Sequence, residues 1–362
     1  MDLIASREGR LGRILLNRPQ ALNTLTLPMV REFRRALDDF GRDASVCAVL
    51  VTGAGDRGLC AGGDVRILYE LEPSHKRLFA DFWREEYELN ARIASFPKPY
   101  VAIMDGVVMG GGVGISAHGN RRVVTERSRV AMPEVGIGFF PDVGATWLLS
   151  RAREIGAYLA LSATSVAAAD AIEAGLADVL IHAEDIQPLI DRLATIQDGA
   201  DVDVALRRLA RHPGSGRLSL HRRLLAEATA YEKVDDVIAA FEREGSEFSL
   251  RAAEDIGAKS PTALKATRAL LLRAAGAPDV ETCLTNEFKA ACRMLATHDL
   301  YEGIRAAIID KDRRPSWSPD RLDAVSDETV EDILGGDDTP LPTFKSWDQT
   351  PYSAWRGSFA SR

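Results

Sequence analysis

The chain of 362 residues has only four cysteines, Cys47, Cys60, Cys283 and Cys292, and no two of them stand in CxxC spacing. That excludes a zinc ribbon or a dithiol redox motif, and in apolar or glycine-rich surroundings reduced thiols are the better reading. The six histidines are scattered, and none forms the HxxxH spacing of a helical zinc site. No apolar run is long enough to span a bilayer, and the N-terminal MDLIASREGRLGRILLNRP lacks the continuous apolar core of a signal peptide. A cytoplasmic protein used as encoded is therefore expected. An excess of positive charge is missing as well: 53 acidic residues outnumber 45 basic ones, net −8, with the signs interspersed. Broad binding to nucleic acid or anionic membrane needs clustered positive charge, so neither is expected as a partner. A small basic patch for a phosphorylated cofactor stays compatible with this balance. Internal repeats and low-complexity linkers are absent too.

What is present suits a large globular body. Apolar residues make up 46% of the chain and charged residues 27%, so a core can form without disulfides or structural metal. Residues 11–17 read as a strand, and 26–41 as a helix with Val30, Phe33, Leu37 and Phe40 on one face and Gly41 as its stop. The short apolar runs 46–52 and 100–104 read as buried strands, and each leads into glycine-rich chain. A polar helical stretch is expected from about 73 to 95. This alternation predicts an α/β fold. Beyond about 150, helices are expected at 151–161 and 166–175. The stretch 184–256 is charged and helix-forming, with a break at His212-Pro213-Gly214, and 262–275 and 280–309 are again helical by periodicity. After Arg314-Pro315 the composition predicts an irregular tail laid on the body.

Two motifs invite the wrong chemistry. Gly53-Ala54-Gly55-Asp56-Arg57-Gly58 fits GxGxxG after a strand, but a dinucleotide site needs a helix to start within the motif. Gly62 and Gly63 follow at once and oppose a helix there, so a tight turn is expected. Gly114-Ile115-Ser116-Ala117-His118 lacks the second glycine of a nucleophile elbow, which leaves Ser116 and His118 structural.

Two other glycine clusters gain meaning as a pair: Cys60-Ala61-Gly62-Gly63-Asp64-Val65-Arg66, and Met109-Gly110-Gly111-Gly112-Val113-Gly114. Glycine lets a backbone N–H approach a ligand with no Cβ in the way. One N–H from each cluster could polarise a single carbonyl oxygen, although either cluster alone is better explained as a tight turn with close packing. The third element is Met132-Pro133-Glu134-Val135-Gly136-Ile137-Gly138-Phe139-Phe140-Pro141-Asp142-Val143-Gly144. Its two carboxylates lie in apolar chain, where desolvation raises a carboxyl pKa and a close pair splits its titration, as acid/base work requires. Asp142 also stands where it could N-cap the following helix.

In that order and spacing, AGGD, MGGGVG and AMPEVGIGFFPDVG resemble the enoyl-CoA hydratase/isomerase (crotonase) superfamily, and within it the 3-hydroxyisobutyryl-CoA hydrolases. The resemblance runs from Leu16-Asn17-Arg18-Pro19-Gln20-Ala21-Leu22-Asn23, through Phe82-Trp83-Arg84-Glu85-Glu86-Tyr87, to Tyr301-Glu302-Gly303-Ile304-Arg305-Ala306, Asp310-Lys311-Asp312 and Pro315-Ser316-Trp317. It thus covers nearly the whole chain. It implies a ββα spiral core over residues 1–183, a helical insertion at 184–256, C-terminal helices at 257–318 and an irregular tail at 319–362. It implies oxyanion donors in the amides of Gly63 and Gly111, and a catalytic carboxylate in Glu134 assisted by Asp142. Glu86, Gly111, Glu134 and Asp142 would contact the acyl group, and Arg18, Ala21, Leu22, Ala61, Asp64 and Arg66 the coenzyme A moiety. Hydratases of the superfamily carry a second glutamate at the position of Gly114, so the resemblance implies thioester hydrolysis here. An enoyl-CoA hydratase or isomerase, and a non-catalytic CoA-binding protein, are the competing readings. No metal or redox cofactor is implied, since CoA is part of the substrate. The superfamily forms trimers and hexamers through its C-terminal helices, so a homo-oligomer is a possible partner state.

Overall fold

The computed structural model describes residues 1–71 and 79–355, so the first part of the helical stretch expected from about 73, and the last residues of the tail, lie outside the described residues. The apolar runs become strands. β1 (Leu3–Glu8) and β2 (Leu11–Leu16) form an antiparallel pair. β3 (Ala48–Gly53), β5 (Tyr100–Met104), β7 (Arg121–Val124) and β9 (Val179–Leu180) join it in parallel, giving the order β1-β2-β3-β5-β7-β9. β4 (Gly58–Cys60), β6 (Val107–Met109) and β8 (Arg129–Ala131) make a second, parallel sheet. From β3 onward the chain alternates between the sheets and returns through helices, which is the expected ββα spiral.

The continuous apolar character of these strands follows from burial on both faces. Val49 and Val51 of β3 face one core, whereas Ala48 and Leu50 face the other. The helices are α1 (Leu27–Arg42), α2 (Val65–Glu70), α3 (Phe79–Ala94), α4 (Gly111–Ala117), α5 (Ala145–Ser150), α6 (Arg153–Ser162), α7 (Ala168–Glu173) and α8 (Ile186–Ala194). They continue with α9 (Ala200–Leu209), α10 (Arg222–Ala228), α11 (Val234–Glu244), α12 (Glu247–Gly257), α13 (Pro261–Ala275), α14 (Val280–Met294), α15 (His298–Ile304) and α16 (Asp327–Gly335). In α1, Val30, Phe33 and Leu37 are buried as the periodicity requires, and Phe40 is half-buried.

Three segments differ in detail from the sequence reading. Residues 184–256 are not one appended body: α8 and α9 cover the second core of the large sheet, while α10, α11 and α12 pack on α6 and α13. The stretch 280–309 is broken, because α14 tightens at its end through Thr297 N–H to Met294 O at 3.0 Å, and the Thr297 hydroxyl donates back to the same carbonyl at 2.8 Å. Arg305–Ile309 then winds as a wider π-helical turn. The tail contains α16, which Ser326 caps by accepting from Thr329 N–H at 3.1 Å and which buries Val330, Ile333 and Leu334. Farther on, Trp347 lies under the Arg92 guanidinium at 3.3 Å and straps the tail to α3.

Candidate active site

The short parallel sheet positions the site. Just past the end of β4, Gly62 adopts φ +107, and the amide of Gly63 follows; just past β6, Gly110 adopts φ +51, and the amide of Gly111 follows. Side chains rarely take these backbone angles, so glycine is required at both turns. β8 lies beside β6, and past its end comes Glu134, the first residue of a short 3₁₀ turn. The two glycine loops and the glutamate therefore gather at the carboxyl edge of one sheet, where α/β proteins place ligands.

Their convergence is close. A β-carbon built on Gly111 would stand 3.4 Å from Gly63 N and would collide with Glu86 Oε1. One built on Gly110 would stand 2.7 Å from Glu134 Oε1. Among the described residues, neither the Gly63 nor the Gly111 amide has a hydrogen-bond acceptor. Two amides without an acceptor thus lie close to one another beside two carboxyls. Glu86 comes from α3 and is 2% exposed, and Glu134 is 7% exposed; each keeps one carboxyl oxygen with no partner among the described residues. Buried polar atoms are rarely left so unless they meet a ligand or water.

Asp142 reaches the same cavity from the loop before α5. Its carboxyl does not cap that helix; it accepts the Tyr87 hydroxyl at 2.8 Å. The helix start is capped instead by Glu287 of α14, which accepts from Gly144 N–H at 2.6 Å, Thr146 N–H at 3.0 Å and the Thr146 hydroxyl at 2.5 Å. Four carboxyls are consequently packed at this end. Burial, reinforced by the Asp142 charge, holds Glu86 and Glu134 well above the ordinary carboxylate range. Burial raises Asp142 to about 7 against the opposing Tyr87 hydrogen bond, and raises Glu287 to about 8. The cluster therefore retains protons near neutrality, which is the condition for a carboxyl to act as acid or base at that pH.

The cavity, of about 700 Å³, is lined by Glu86, Glu134 and Asp142 and also by the exposed residues Arg57, Arg66 and Lys311. Ala21, Leu22, Ala61, Asp64 and Arg66 line it, as do Gly63, Glu86, Gly111, Glu134 and Asp142. Arg18 does not line it. Its guanidinium donates to Asp64 at 3.0 Å and to Thr24 O at 2.7 Å, which ties the 18–24 loop to the first glycine loop.

Gly114 faces a closed wall: a β-carbon there would meet Val143 Cβ at 2.7 Å and Asn90 Nδ2 at 2.8 Å. The Gly53–Gly58 stretch is a turn between β3 and β4 with no helix starting in it. Ser116 donates to Gly112 O at 2.6 Å and His118 Nε2 lies 2.7 Å from Val143 O, so both are engaged with backbone.

Tyr87, Asn90 and Glu287 acquired no role from the sequence. Asn90 and Glu287 each left a signal, a polar group on a buried helical stripe: Phe82, Glu86 and Asn90 succeed one another at four-residue steps, as do Cys283, Glu287 and Ala291.

Comparison with known proteins identifies the family. The enoyl-CoA hydratase/isomerase family profile matches residues 11–334. The mitochondrial 3-hydroxyisobutyryl-CoA hydrolase of Rattus norvegicus is 36% identical over 338 residues, covering 91% of this chain and 87% of its own. Its Homo sapiens counterpart is 34% identical over 337 residues, with the same two coverages, 91% and 87%. Those relatives are mitochondrial by name, so the cytoplasmic expectation rests on the sequence; among the described residues no helix is long and apolar enough to cross a membrane. A crystal structure of a carnitinyl-CoA dehydratase from Mycobacterium thermoresistibile superposes with a TM-score of 0.89 at 42% identity, over 95% of this chain and 99% of that one. An enoyl-CoA hydratase from Rhodobacter sphaeroides 2.4.1 does so with 0.85 at 37% identity, over 93% and 98%. With the spiral of two sheets, the paired glycine loops and this similarity over nearly its full length, the chain belongs to the enoyl-CoA hydratase/isomerase family.

Proposed function

We propose that the protein hydrolyses a short 3-hydroxyacyl-CoA thioester, with 3-hydroxyisobutyryl-CoA the favoured substrate. The observation that carries this reading is the Glu134 carboxyl, with an unpartnered oxygen, beside two acceptor-free amides at the buried end of the cavity. The thioester oxygen would accept from Gly63 and Gly111 N–H, which favour the negative charge that grows on it as the carbonyl carbon is attacked. Oxygen reaches that carbon from a water deprotonated by Glu134, or from Glu134 itself through an anhydride that water then opens. On either route the C–S bond breaks and the CoA thiolate leaves. Asp142 exchanges a proton with Glu134 and Glu86 contacts the hydroxyacyl end. The exposed basic residues that line the cavity, Arg57, Arg66 and Lys311, suit the phosphates of CoA.

The similarity to a carnitinyl-CoA dehydratase and an enoyl-CoA hydratase favours a second reading, water addition to or removal from an acyl-CoA. By the family resemblance that chemistry uses a pair of glutamates, and the second position is Gly114, whose side-chain space Val143 and Asn90 fill. Hydrolysis is therefore the better-supported reaction. The test is Glu134→Gln: it should abolish CoA release from 3-hydroxyisobutyryl-CoA while the fold persists, and an undiminished rate removes Glu134 from the mechanism. Loss of enoyl absorbance without thiol release would favour the second reading. Binding without turnover of any ester would make the protein a CoA-binding module.

A further inference from the structure

Val143 is a β-branched residue held at φ +55, and Gly144 follows at φ +77. A β-branched side chain in the left-handed region is a strained outlier that persists only when its surroundings over-determine it. Here they do. His118, at the C-terminal end of α4, places Nε2 2.7 Å from Val143 O. A carbonyl only accepts, so Nε2 carries the proton, and burial keeps the ring neutral by lowering its pKa to about 4. Glu287 takes the next amide, Gly144 N–H, at 2.6 Å, and anchors the first turn of α5 through Thr146. Both side chains are buried, Glu287 at 0% and His118 at 9% exposure. The residue immediately before the strained one is Asp142.

We propose that His118 and Glu287 are positioning residues: they lock the left-handed turn Asp142–Gly144 and thereby fix where the Asp142 carboxyl stands in the acyl end of the cavity. This deepens the hydrolase reading and rests on it. The groups that face Asp142 are Tyr87 and Glu86 of α3, Glu134 of the 3₁₀ turn and Glu287 of α14; Arg122 is the charged group that acts on His118. A displaced turn would change the distance of Asp142 from all four of its neighbours at once.

The test uses the full-length protein with 3-hydroxyisobutyryl-CoA and two variants. His118→Gln keeps an N–H near the position of Nε2, whereas His118→Leu removes it. His118→Leu should lower kcat about tenfold or more and leave KM within about twofold, as expected when a reacting group is misplaced but substrate binding is not. His118→Gln should recover most of that loss. Wild-type kcat in folded His118→Leu, or equal impairment of both variants, overturns the proposal. Should His118→Leu not fold, His118→Leu/Val143→Gly replaces it, since glycine takes the left-handed backbone without strain. That double variant should fold and turn over at least about fivefold more slowly than Val143→Gly alone; equal rates overturn the proposal. If the wild type releases CoA from no thioester, the hydrolase reading has failed by itself. The positioning claim is then read from the Asp142 carboxyl by carbon-13 NMR titration, which should move between wild type and His118→Leu and, if unmoved, sinks it.

Discussion

Replacing Gly111 by alanine is the sharpest small perturbation of the proposed oxyanion site. The backbone tolerates alanine there, since positive φ is confined to the preceding Gly110. The added methyl would stand 3.4 Å from Gly63 N and 3.2 Å from Leu25 Cδ1, and it would collide with Glu86 Oε1. On the proposed mechanism it would crowd the space in which the thioester oxygen accepts from both amides. Loss of a single oxyanion donor lowers rates about 10²- to 10³-fold, roughly 3–4 kcal/mol of transition-state stabilisation. Blocking both should reduce kcat/KM by at least about 10²-fold. The colliding partners are ends of side chains, so the stability loss should stay near 1–2 kcal/mol, within the range of mild overpacking. Gly136→Ala, in the 3₁₀ turn that carries Glu134 and with nothing within 4 Å of its added carbon, is the matched control and should keep its rate. The assay is thiol release followed with a disulfide reagent, with thermal melts alongside. Gly111→Ala retaining a rate within about threefold of wild type, at an intact fold, would rule out Gly63 and Gly111 as the oxyanion donors.

Three further outcomes follow from the same geometry. Gly114→Glu should yield no hydratase, because its β-carbon meets Val143 Cβ at 2.7 Å and Asn90 Nδ2 at 2.8 Å; a stability loss of about 2 kcal/mol or more is expected in chemical denaturation, and any gain in enoyl-CoA hydration contradicts it. Asp142→Asn should be worth more to stability at high pH than at low pH. Burial raises the Asp142 pKa from 3.8 to about 7, so the folded state holds a proton that the unfolded chain has released; that contribution is complete below about pH 4 and is lost as pH rises toward 7. Urea melts should show the variant gaining on wild type between about pH 4 and 7, by at most about 4 kcal/mol, and a constant difference would contradict the assignment. Tyr87→Phe removes the hydrogen bond that holds the Asp142 pKa down, so the limb of the pH–rate profile that reports Asp142 should shift to higher pH, and a shift the other way would rule out that bond as the cause.

Strands were legible where burial on both faces produces an unbroken apolar run, as in Ala48–Gly53 and Tyr100–Met104. The paired glycine loops were legible because positive φ leaves glycine as the fitting residue at 62 and 110. Less visible were features that depend on distant partners. Helix α16 lies in a segment whose composition suggested irregular chain, and it is held by the burial of Val330, Ile333 and Leu334, which periodicity over so short a stretch does not reveal. The cap on α5 comes from Glu287, more than a hundred residues downstream, whereas the sequence offered the adjacent Asp142 for that task. Arg18 is another such case: its loop borders the cavity, yet its side chain is held by Asp64 and Thr24, contacts that only the fold brings together.

Where the acyl oxygen binds decides the proposed mechanism. A crystal structure of the protein with a ketone analogue of 3-hydroxyisobutyryl-CoA, in which a methylene replaces the thioester sulfur, measures that directly. The carbonyl oxygen should lie about 3 Å from both Gly63 N and Gly111 N, with Glu134 facing the carbonyl carbon. An oxygen directed away from either amide, or a carbonyl carbon out of reach of Glu134, would contradict it.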